Sequence, residues 1–184
     1  MMRVLAISGS LRAASINSAL LRACARLAPA GMQVDVHEGL GTLPLFNPDL
    51  EATPPRAVQA LRAAVAGADV LLLASPEYAH GVSGAMKNAL DWLVGFEPFC
   101  GKPVAVPNAS PRARHAHAAL CETLRTMSAV LVDEAAVALP LLGAGLGEQG
   151  MVDSPEVSAR IRELLAVLLR RAPASAAMPC TPVP

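Results

Sequence analysis

Short, strongly apolar runs alternate with longer amphipathic segments along most of this chain. Five apolar runs have the length of a strand, at residues 3–8, 33–37, 69–74, 102–107 and 130–137. Segments with apolar residues at helical spacing follow these runs, at residues 15–27, 54–66, 83–94, 111–127 and 155–171. Regular alternation of strands and helices predicts an α/β fold, a five-stranded parallel sheet with helices on both faces.

The third apolar run, DVLLLA at residues 69–74, is the most hydrophobic of the five. An uninterrupted apolar run predicts a strand that is buried on both faces, at the centre of a parallel sheet. Ligands of such sheets bind outside the carboxyl ends of the strands. The loops that follow the strands are therefore the segments in which functional residues are expected.

Composition limits the classes of protein that this chain can belong to. Of its 184 residues, 53% are hydrophobic and 16% charged, which excludes intrinsic disorder for most of the chain. We interpret residues 1–172 as one domain and the Pro- and Ala-rich residues 173–184 as a tail. A formal net charge of zero argues against a nucleic-acid partner. The apolar runs are shorter than the roughly 18 residues of a membrane helix, so we expect no membrane partner and a cytoplasmic location.

A hydroxyl-rich loop, residues 9–18, joins the first predicted strand to the first helix. The dipole and N–H groups of a helix N-terminus favour an anion, and Arg12 can neutralise one. The loop has neither the GxxxxGK[ST] of a P-loop nor the GxGxxG of a dinucleotide site, and Ser10 is not in a GxSxG elbow. A phosphate monoester site and an ordinary capped turn both fit this loop.

A second loop, residues 75–82, follows the most apolar predicted strand. Pro76 stiffens its start, Gly81 permits the close approach of a ligand, and Tyr78 offers a flat ring with a polar tip. Taken alone, the segment also fits a surface turn, and His80 fits a solvated loop histidine.

Together, the two loops resemble those of the NAD(P)H-dependent FMN reductase family, which has a flavodoxin-like fold and includes quinone, chromate and azo-dye reductases. The family pattern GSxRxxSxN is matched by Gly9, Ser10, Arg12, Ser15 and Asn17. The pattern PEYxxxxxGxxKNAxDW is matched by Pro76, Glu77, Tyr78, Gly84, Lys87, Asn88, Ala89, Asp91 and Trp92. The resemblance covers roughly residues 3–171 and implies a doubly wound, flavodoxin-like sheet.

The resemblance also implies which residues hold a cofactor. Four residues of the first loop are expected to hold the phosphate of FMN: Ser10, Arg12, Ser15 and Asn17. Four further residues are expected around the isoalloxazine ring: Pro76, Glu77, Tyr78 and, after the fourth strand, Ser110. NADPH or NADH is the second small molecule that the resemblance implies.

Two departures from the family pattern affect the ring side of this expected site. The family usually has Asn after the tyrosine, where this chain has Ala79, so one polar contact to the flavin is missing. The loop after the fourth strand is often glycine-rich in the family, whereas here Pro111 lacks an N–H group and side chains replace the glycines. Arg112 or Arg114 offers a cation at the N1/O2 edge of the flavin instead.

The expected function is that of an FMN-dependent oxidoreductase. It would pass hydride from NADPH or NADH to FMN, and two electrons onward to a quinone, free flavin, chromate or azo compound. This chemistry requires no side-chain acid or base, so we assign no catalytic side chain. No metal is expected, because His115 and His117 stand at i and i+2 of a predicted helix and point apart. The alternatives are a flavodoxin-type electron carrier and a flavin-free binding protein.

Residues 92–99 concentrate aromatic side chains at the end of one predicted helix: Trp92, Phe96 and Phe99. A monomer is expected to have difficulty burying all three, and aromatic anchors are typical of interface cores. The resemblance likewise assigns the helix at residues 87–92 to dimer packing. We therefore expect a homodimer or homotetramer in which Trp92 or Phe96 is covered by the partner.

Overall fold

The computed structural model of the chain describes residues 1–110, 113–135 and 145–171. The strands are β1 (Met2–Ser8), β2 (Met32–His37), β3 (Val70–Ala74), β4 (Glu77–Tyr78), β5 (Gly81–Val82), β6 (Pro103–Ala105) and β7 (Val130–Leu131). The helices are α1 (Ile16–Arg26), α2 (Arg56–Ala66), α3 (Gly84–Asp91), α4 (Arg114–Thr126), α5 (Glu148–Asp153) and α6 (Pro155–Arg171).

Among the described residues, five strands form a parallel sheet in the order β2-β1-β3-β6-β7. This is the doubly wound strand order of flavodoxin-like folds, which reverses between β1 and β3. All five residues of β3 are buried at the centre of the sheet, as its apolar run predicts. The predicted flavodoxin-like α/β fold is confirmed.

Side-chain alternation along the strands divides the core between the two faces of the sheet. Val4 and Ala6 of β1 pack in the cluster that includes α1, α5 and α6, whereas Leu5 and Ile7 pack with α2, α3 and α4. Helices α1, α2, α3, α4 and α6 therefore bury the apolar stripes that their sequence spacing predicts. None of the helices in the described parts of the chain is long and apolar enough to span a bilayer. Because helices cover both faces, the loops at the carboxyl ends of the strands remain accessible.

The last part of the chain departs from the predicted elements. The predicted strand at residues 130–137 is shortened to β7, and a 3-10 turn follows at Asp133–Ala135, where two charged residues interrupt the apolar run. Residues 136–144 lie outside the described part of the chain. The proposed tail at residues 173–184 also lies outside it, so the structure does not test that boundary.

Helix α5 lies where a glycine-rich loop was predicted. Arg22 Nε donates to Glu148 Oε2 at 2.8 Å, and Arg26 forms a second ion pair with the same carboxylate at 3.5 Å. Met151 is fully buried against the core. These contacts join residues that are more than a hundred positions apart, so the local pattern around Gly150 does not reveal the helix. Gly143, another glycine of the predicted loop, lies outside the described residues.

Trp92 and Phe99 are buried within a single copy of the chain, with 0% and 1% of their surface exposed. Phe46 packs edge-on against the indole ring, with centroids 5.0 Å apart, and the indole Nε1 donates to the carbonyl of Pro44 at 2.8 Å. The expectation that a partner subunit covers Trp92 is therefore wrong, whereas Phe96 is half-buried and its burial by a partner stays a prediction. The long loop after β2 covers Trp92 instead.

Candidate functional site

The loops at the carboxyl ends of β1, β3 and β6 enclose a cleft of about 400 Å³, within the range of small-molecule sites. The eight residues proposed from the sequence all line it: Ser10, Arg12, Ser15, Asn17, Pro76, Glu77, Tyr78 and Ser110. Six further lining residues have no sequence signal beyond their place in these loops: Ala14, Ile16, Ser75, Asn108, Ala109 and Ala113. The fold thus brings three separate loops together around one space.

The N-terminus of α1 opens into this cleft. Ser15 is the N-cap, and its Oγ accepts a hydrogen bond from the N–H of Ser18 at 3.3 Å. The N–H groups of Ile16 and Asn17 have no acceptor within the helix, and both residues line the cleft. The first turn of α1 contains no acidic side chain. This end of the cleft therefore favours an anion.

The backbone of the loop after β1 is held by its own hydroxyl groups. Ser8 Oγ lies 2.8 Å from Ser18 Oγ and accepts a hydrogen bond from the N–H of Ser10 at 3.2 Å. Ser10 Oγ in turn accepts from the N–H of Arg12 at 3.4 Å. Arg12 is exposed, so its guanidinium can meet a ligand without a large desolvation cost.

Gly9 packs closely against the loop after β3. Its N–H donates to the carbonyl of Ala74 at 2.8 Å, and its own carbonyl accepts from Ser83 Oγ at 2.6 Å. A Cβ atom at this position would lie 2.7 Å from Ser83 Oγ and 2.8 Å from Ser75 Oγ. Glycine is therefore required here by the packing of the two loops.

The loop after β3 forms a small hairpin that was not predicted. Strands β4 and β5 pair antiparallel, with Tyr78 opposite Gly81, and the two turn residues have positive φ: +48° at Ala79 and +62° at His80. This conformation is usual for Asn and Gly, so Ala-His gives no hairpin signal in the sequence. Tyr78 lines the cleft and is 58% exposed.

Glu77 makes contacts that its sequence motif does not reveal. Its Oε2 accepts a hydrogen bond from the backbone N–H of Ala116 in the first turn of α4, at 2.9 Å. Its Oε1 lies 3.4 Å from Nδ1 of His80. Although Glu77 lines the cleft, its carboxylate is thus engaged by two neighbouring elements of the chain.

In the loop after β6, a side-chain amide organises the backbone where the family often has glycines. Asn108 Oδ1 accepts from the N–H of Ser110 at 3.0 Å, and Asn108 Nδ2 donates to the carbonyl of Ala113 at 3.2 Å. Pro111 and Arg112 lie outside the described residues. Arg114 begins α4 and is not among the residues that line the cleft.

The two histidines of α4 have different surroundings. His115 is exposed, and its ring meets that of His80 edge to face, with centroids 4.4 Å apart. His117 Nε2 lies 3.0 Å from the carbonyl of Val106, and burial raises the pKa of the neighbouring Cys121 thiol. Within the described ranges, no group of three or more His, Cys, Asp or Glu side chains is placed to hold a metal.

Sequence comparison gives a family and two informative relatives. The model of the family described as NADPH-dependent FMN reductase matches residues 2–141. An NAD(P)H-dependent FMN reductase of Pseudomonas aeruginosa is 44% identical over 111 residues, which are 59% of this chain and 60% of that protein. A quinone reductase of Escherichia coli K12 is 34% identical over 113 residues, again 59% and 60%. The matched region thus spans 60% of the length of each of these relatives.

Solved structures with the same fold cover most of this chain. The flavoenzyme NAD(P)H:(acceptor) oxidoreductase FerB from Paracoccus denitrificans superposes with a TM-score of 0.75 at 26% identity, covering 92% of this chain and 98% of that one. An apo NADH:FMN oxidoreductase superposes with a TM-score of 0.64 at 18% identity, covering 95% and 92%. At 18% identity, the similarity to the second structure shows only that the two proteins share a fold.

Proposed function

Because the chain belongs to the NADPH-dependent FMN reductase family, we propose that it is an FMN-dependent oxidoreductase whose cofactor binds in the cleft described above. The electron donor would be NADPH or NADH, and the acceptor a small molecule such as a quinone, free flavin, chromate or azo compound. One observation carries the proposal: an anion-favouring helix N-terminus and a tyrosine-bearing hairpin line the same cleft.

The loop after β1 fits the phosphate end of FMN. Ser10, Arg12, Ser15 and Asn17 all line the cleft, and their side chains carry two hydroxyl groups, a guanidinium and an amide. Together with the first N–H groups of α1, they supply donors and positive charge to a dianion. No carboxylate in the first turn of α1 competes for these donors.

The hairpin and the loop after β6 fit the ring end of FMN. Pro76, Tyr78 and Ala109 offer apolar surface, and the polar residues Asn108 and Ser110 also line the cleft. Glu77 contributes through its backbone and position, because its carboxylate is engaged by α4. Ala79 has no side-chain amide, so we expect the ring to be held less firmly than the phosphate.

When bound, FMN supplies the redox chemistry, taking hydride from NADPH or NADH and passing two electrons to the acceptor. The chain binds the cofactor, orients it and leaves its ring accessible at the mouth of the cleft. No side chain needs to act as a general acid or base, and we assign none. Donor and acceptor would bind in turn, in a ping-pong order. We propose a cytoplasmic location, where these reduced nicotinamides are available.

The proposal is tested by following the oxidation of NADPH and of NADH with a quinone acceptor, with and without added FMN. We expect turnover that depends on the acceptor and that rises when FMN is added to cofactor-depleted protein. Turnover at the same rate with and without FMN would contradict the proposal. So would a lack of turnover when FMN is bound.

The same assay separates the alternative functions. A flavodoxin-type carrier would bind FMN but would not oxidise NADPH or NADH, and a flavin-free binding protein would bind no FMN. Flavodoxins enclose their flavin between aromatic rings, whereas Tyr78 is the one aromatic residue among the described residues of this cleft. This observation favours an open ring that a nicotinamide can reach.

We also propose that the chain forms a homodimer through the surface beside α3 and α4. A groove of about 700 Å³ lies there, with apolar walls that include Val94, Phe96 and Met127. Lys87 and Glu122 place charges of both signs at the same groove. A two-fold interface requires such self-complementary chemistry. Val94 is 64% exposed in the single chain and adjoins the half-buried Phe96, so the groove presents a continuous apolar wall to a second copy.

We expect light scattering at micromolar concentration to give a mass near twice the 19.0 kDa of one chain. Val94→Asp should shift the protein to the single-chain mass, because it places a charge in the apolar part of the interface. Val130→Asp is the matched control, since Val130 is also exposed but does not line the groove. A single-chain mass for the wild type would contradict this proposal.

A further inference from the structure

The β4–β5 hairpin carries Tyr78, which lines the cleft, but it is poorly stabilised by its own residues. Its ladder contains two residue pairs, and isolated hairpins of any length are marginal in water. Ala79 and His80 both have positive φ, a conformation that is strained for any residue with a Cβ atom. An element outside the hairpin must therefore hold it.

Helix α4 lacks a stabilising group that the hairpin supplies. The residue before the helix, Ala113, makes no side-chain cap, and the first turn contains no acidic residue. Glu77 Oε2 accepts from the N–H of Ala116 at 2.9 Å, at the third helical position, which an N-cap side chain normally serves. The Glu77 side chain is only 14% exposed, and its charge is favourable at a helix N-terminus.

Two histidines extend this contact to the tip of the hairpin. His80 Nδ1 lies 3.4 Å from Glu77 Oε1, and the ring of His80 meets that of His115 edge to face at 4.4 Å. His115 directly precedes Ala116, so the strained tip rests on the helical turn that Glu77 caps. A contact as exposed as that between His80 and Glu77 adds little stability alone. Its effect is to fix where the tip lies.

We propose that Glu77, His80 and His115 form a hairpin clasp, which fixes Tyr78 at the mouth of the cleft. They are positioning residues for the ring of the cofactor and act through Tyr78. That this ring belongs to FMN rests on the proposed function. The clasp itself is a contact between elements of this chain and does not depend on the cofactor. Opening the clasp should loosen the grip on the ring and leave the phosphate loop unchanged.

The chain contains one tyrosine and one tryptophan. Tyr78 therefore reports on the hairpin, and Trp92 reports on the core. Protein labelled with 3-fluorotyrosine should show a single ¹⁹F resonance, from Tyr78. In Glu77→Ala and in His115→Ala, without flavin, we expect this resonance to sharpen and move towards that of free fluorotyrosine. Emission from the buried Trp92 should stay unchanged, which shows that the core remains folded.

Two further variants separate the clasp from a general structural effect. Glu77→Gln keeps an oxygen that can accept from Ala116, so it should retain most of the wild-type resonance. Glu156→Ala removes an exposed carboxylate from α6, on the other face of the sheet, and should change nothing, because the Glu156 side chain pairs with Arg160 on its own helix. A wild-type resonance in both Glu77→Ala and His115→Ala would overturn the proposal.

Flavin titrations test the consequence for the cofactor. Glu77→Ala should weaken FMN and riboflavin by the same factor, about tenfold, as expected from the loss of one cap hydrogen bond. A loss of affinity for FMN but not for riboflavin would contradict the clasp, because only FMN has the phosphate and the defect would then lie at the phosphate site. If the wild type binds neither flavin, the proposed function fails, and the ¹⁹F resonance alone then decides whether the clasp exists.

Discussion

Arg12→Ala is expected to weaken FMN binding by about 1.5–3 kcal/mol, roughly tenfold to 150-fold in Kd. Arg12 lines the cleft near the N-terminus of α1, where the first turn has no acidic side chain. We propose its guanidinium as the charged donor to the phosphate, so the substitution should remove a charge-assisted hydrogen bond. The Kd is measured by titrating flavin-free protein with FMN and following flavin fluorescence. Excess FMN should partly restore activity.

Riboflavin, which lacks the phosphate, distinguishes this effect from general damage. It should bind the wild type much more weakly than FMN does, and Arg12→Ala should leave that weak binding unchanged. Arg56→Ala is the matched control, because Arg56 is exposed at the start of α2 and does not line the cleft. If Arg12→Ala keeps the FMN affinity of the wild type, the phosphate is not held where we propose.

Gly9→Ala is expected to lower the free energy of unfolding by about 1–3 kcal/mol, the usual cost of forcing a methyl group into a packed site. The new Cβ would lie 2.7 Å from Ser83 Oγ and 3.0 Å from Met86 Cβ. Ser83 cannot move freely, since its hydroxyl donates to the Gly9 carbonyl and accepts from the N–H of Met86. The loops after β1 and β3 must therefore separate, and FMN affinity should fall with stability. Urea unfolding and FMN titration measure the two effects.

Gly84→Ala is the control for this substitution. Gly84 begins α3, and a Cβ there would have no neighbour within 4 Å. The change should leave stability unchanged or raise it slightly, because alanine favours a helix more than glycine does. Equal stability of Gly9→Ala and the wild type would show that the loops are not as tightly packed as the distances indicate.

Features that depend on neighbouring residues were predicted well from the sequence. The apolar run of β3 indicates a central buried strand, and all five of its residues are buried. Ser83 precedes the periodic segment of α3, and its hydroxyl caps that helix by accepting from Met86 N–H at 3.3 Å. Lys87 and Asp91 pair one turn apart, as their spacing indicates. Each of these features is decided within a few residues.

Features that depend on distant contacts were not predicted. Trp92 is covered by Phe46, which lies in a loop 46 positions earlier, so counting aromatic residues along one helix led to the wrong partner. Glu77 caps a helix whose Ala116 lies 39 positions later. The hairpin tip at Ala79 and His80 has neither the glycine nor the asparagine that would have indicated positive φ in the sequence. In each case the physical cause is tertiary packing that leaves no local pattern.

The central claim is that FMN bound in this cleft transfers electrons from a reduced nicotinamide to a small acceptor. The most direct measurement mixes the FMN-loaded protein with NADPH or NADH without oxygen, follows the visible absorbance of the bound flavin, and then adds a quinone. We predict that the nicotinamide bleaches the flavin and that the quinone restores its colour, with both steps fast enough to account for turnover. A bound flavin that keeps its colour with both nicotinamides, or that a quinone does not reoxidise, would contradict the claim.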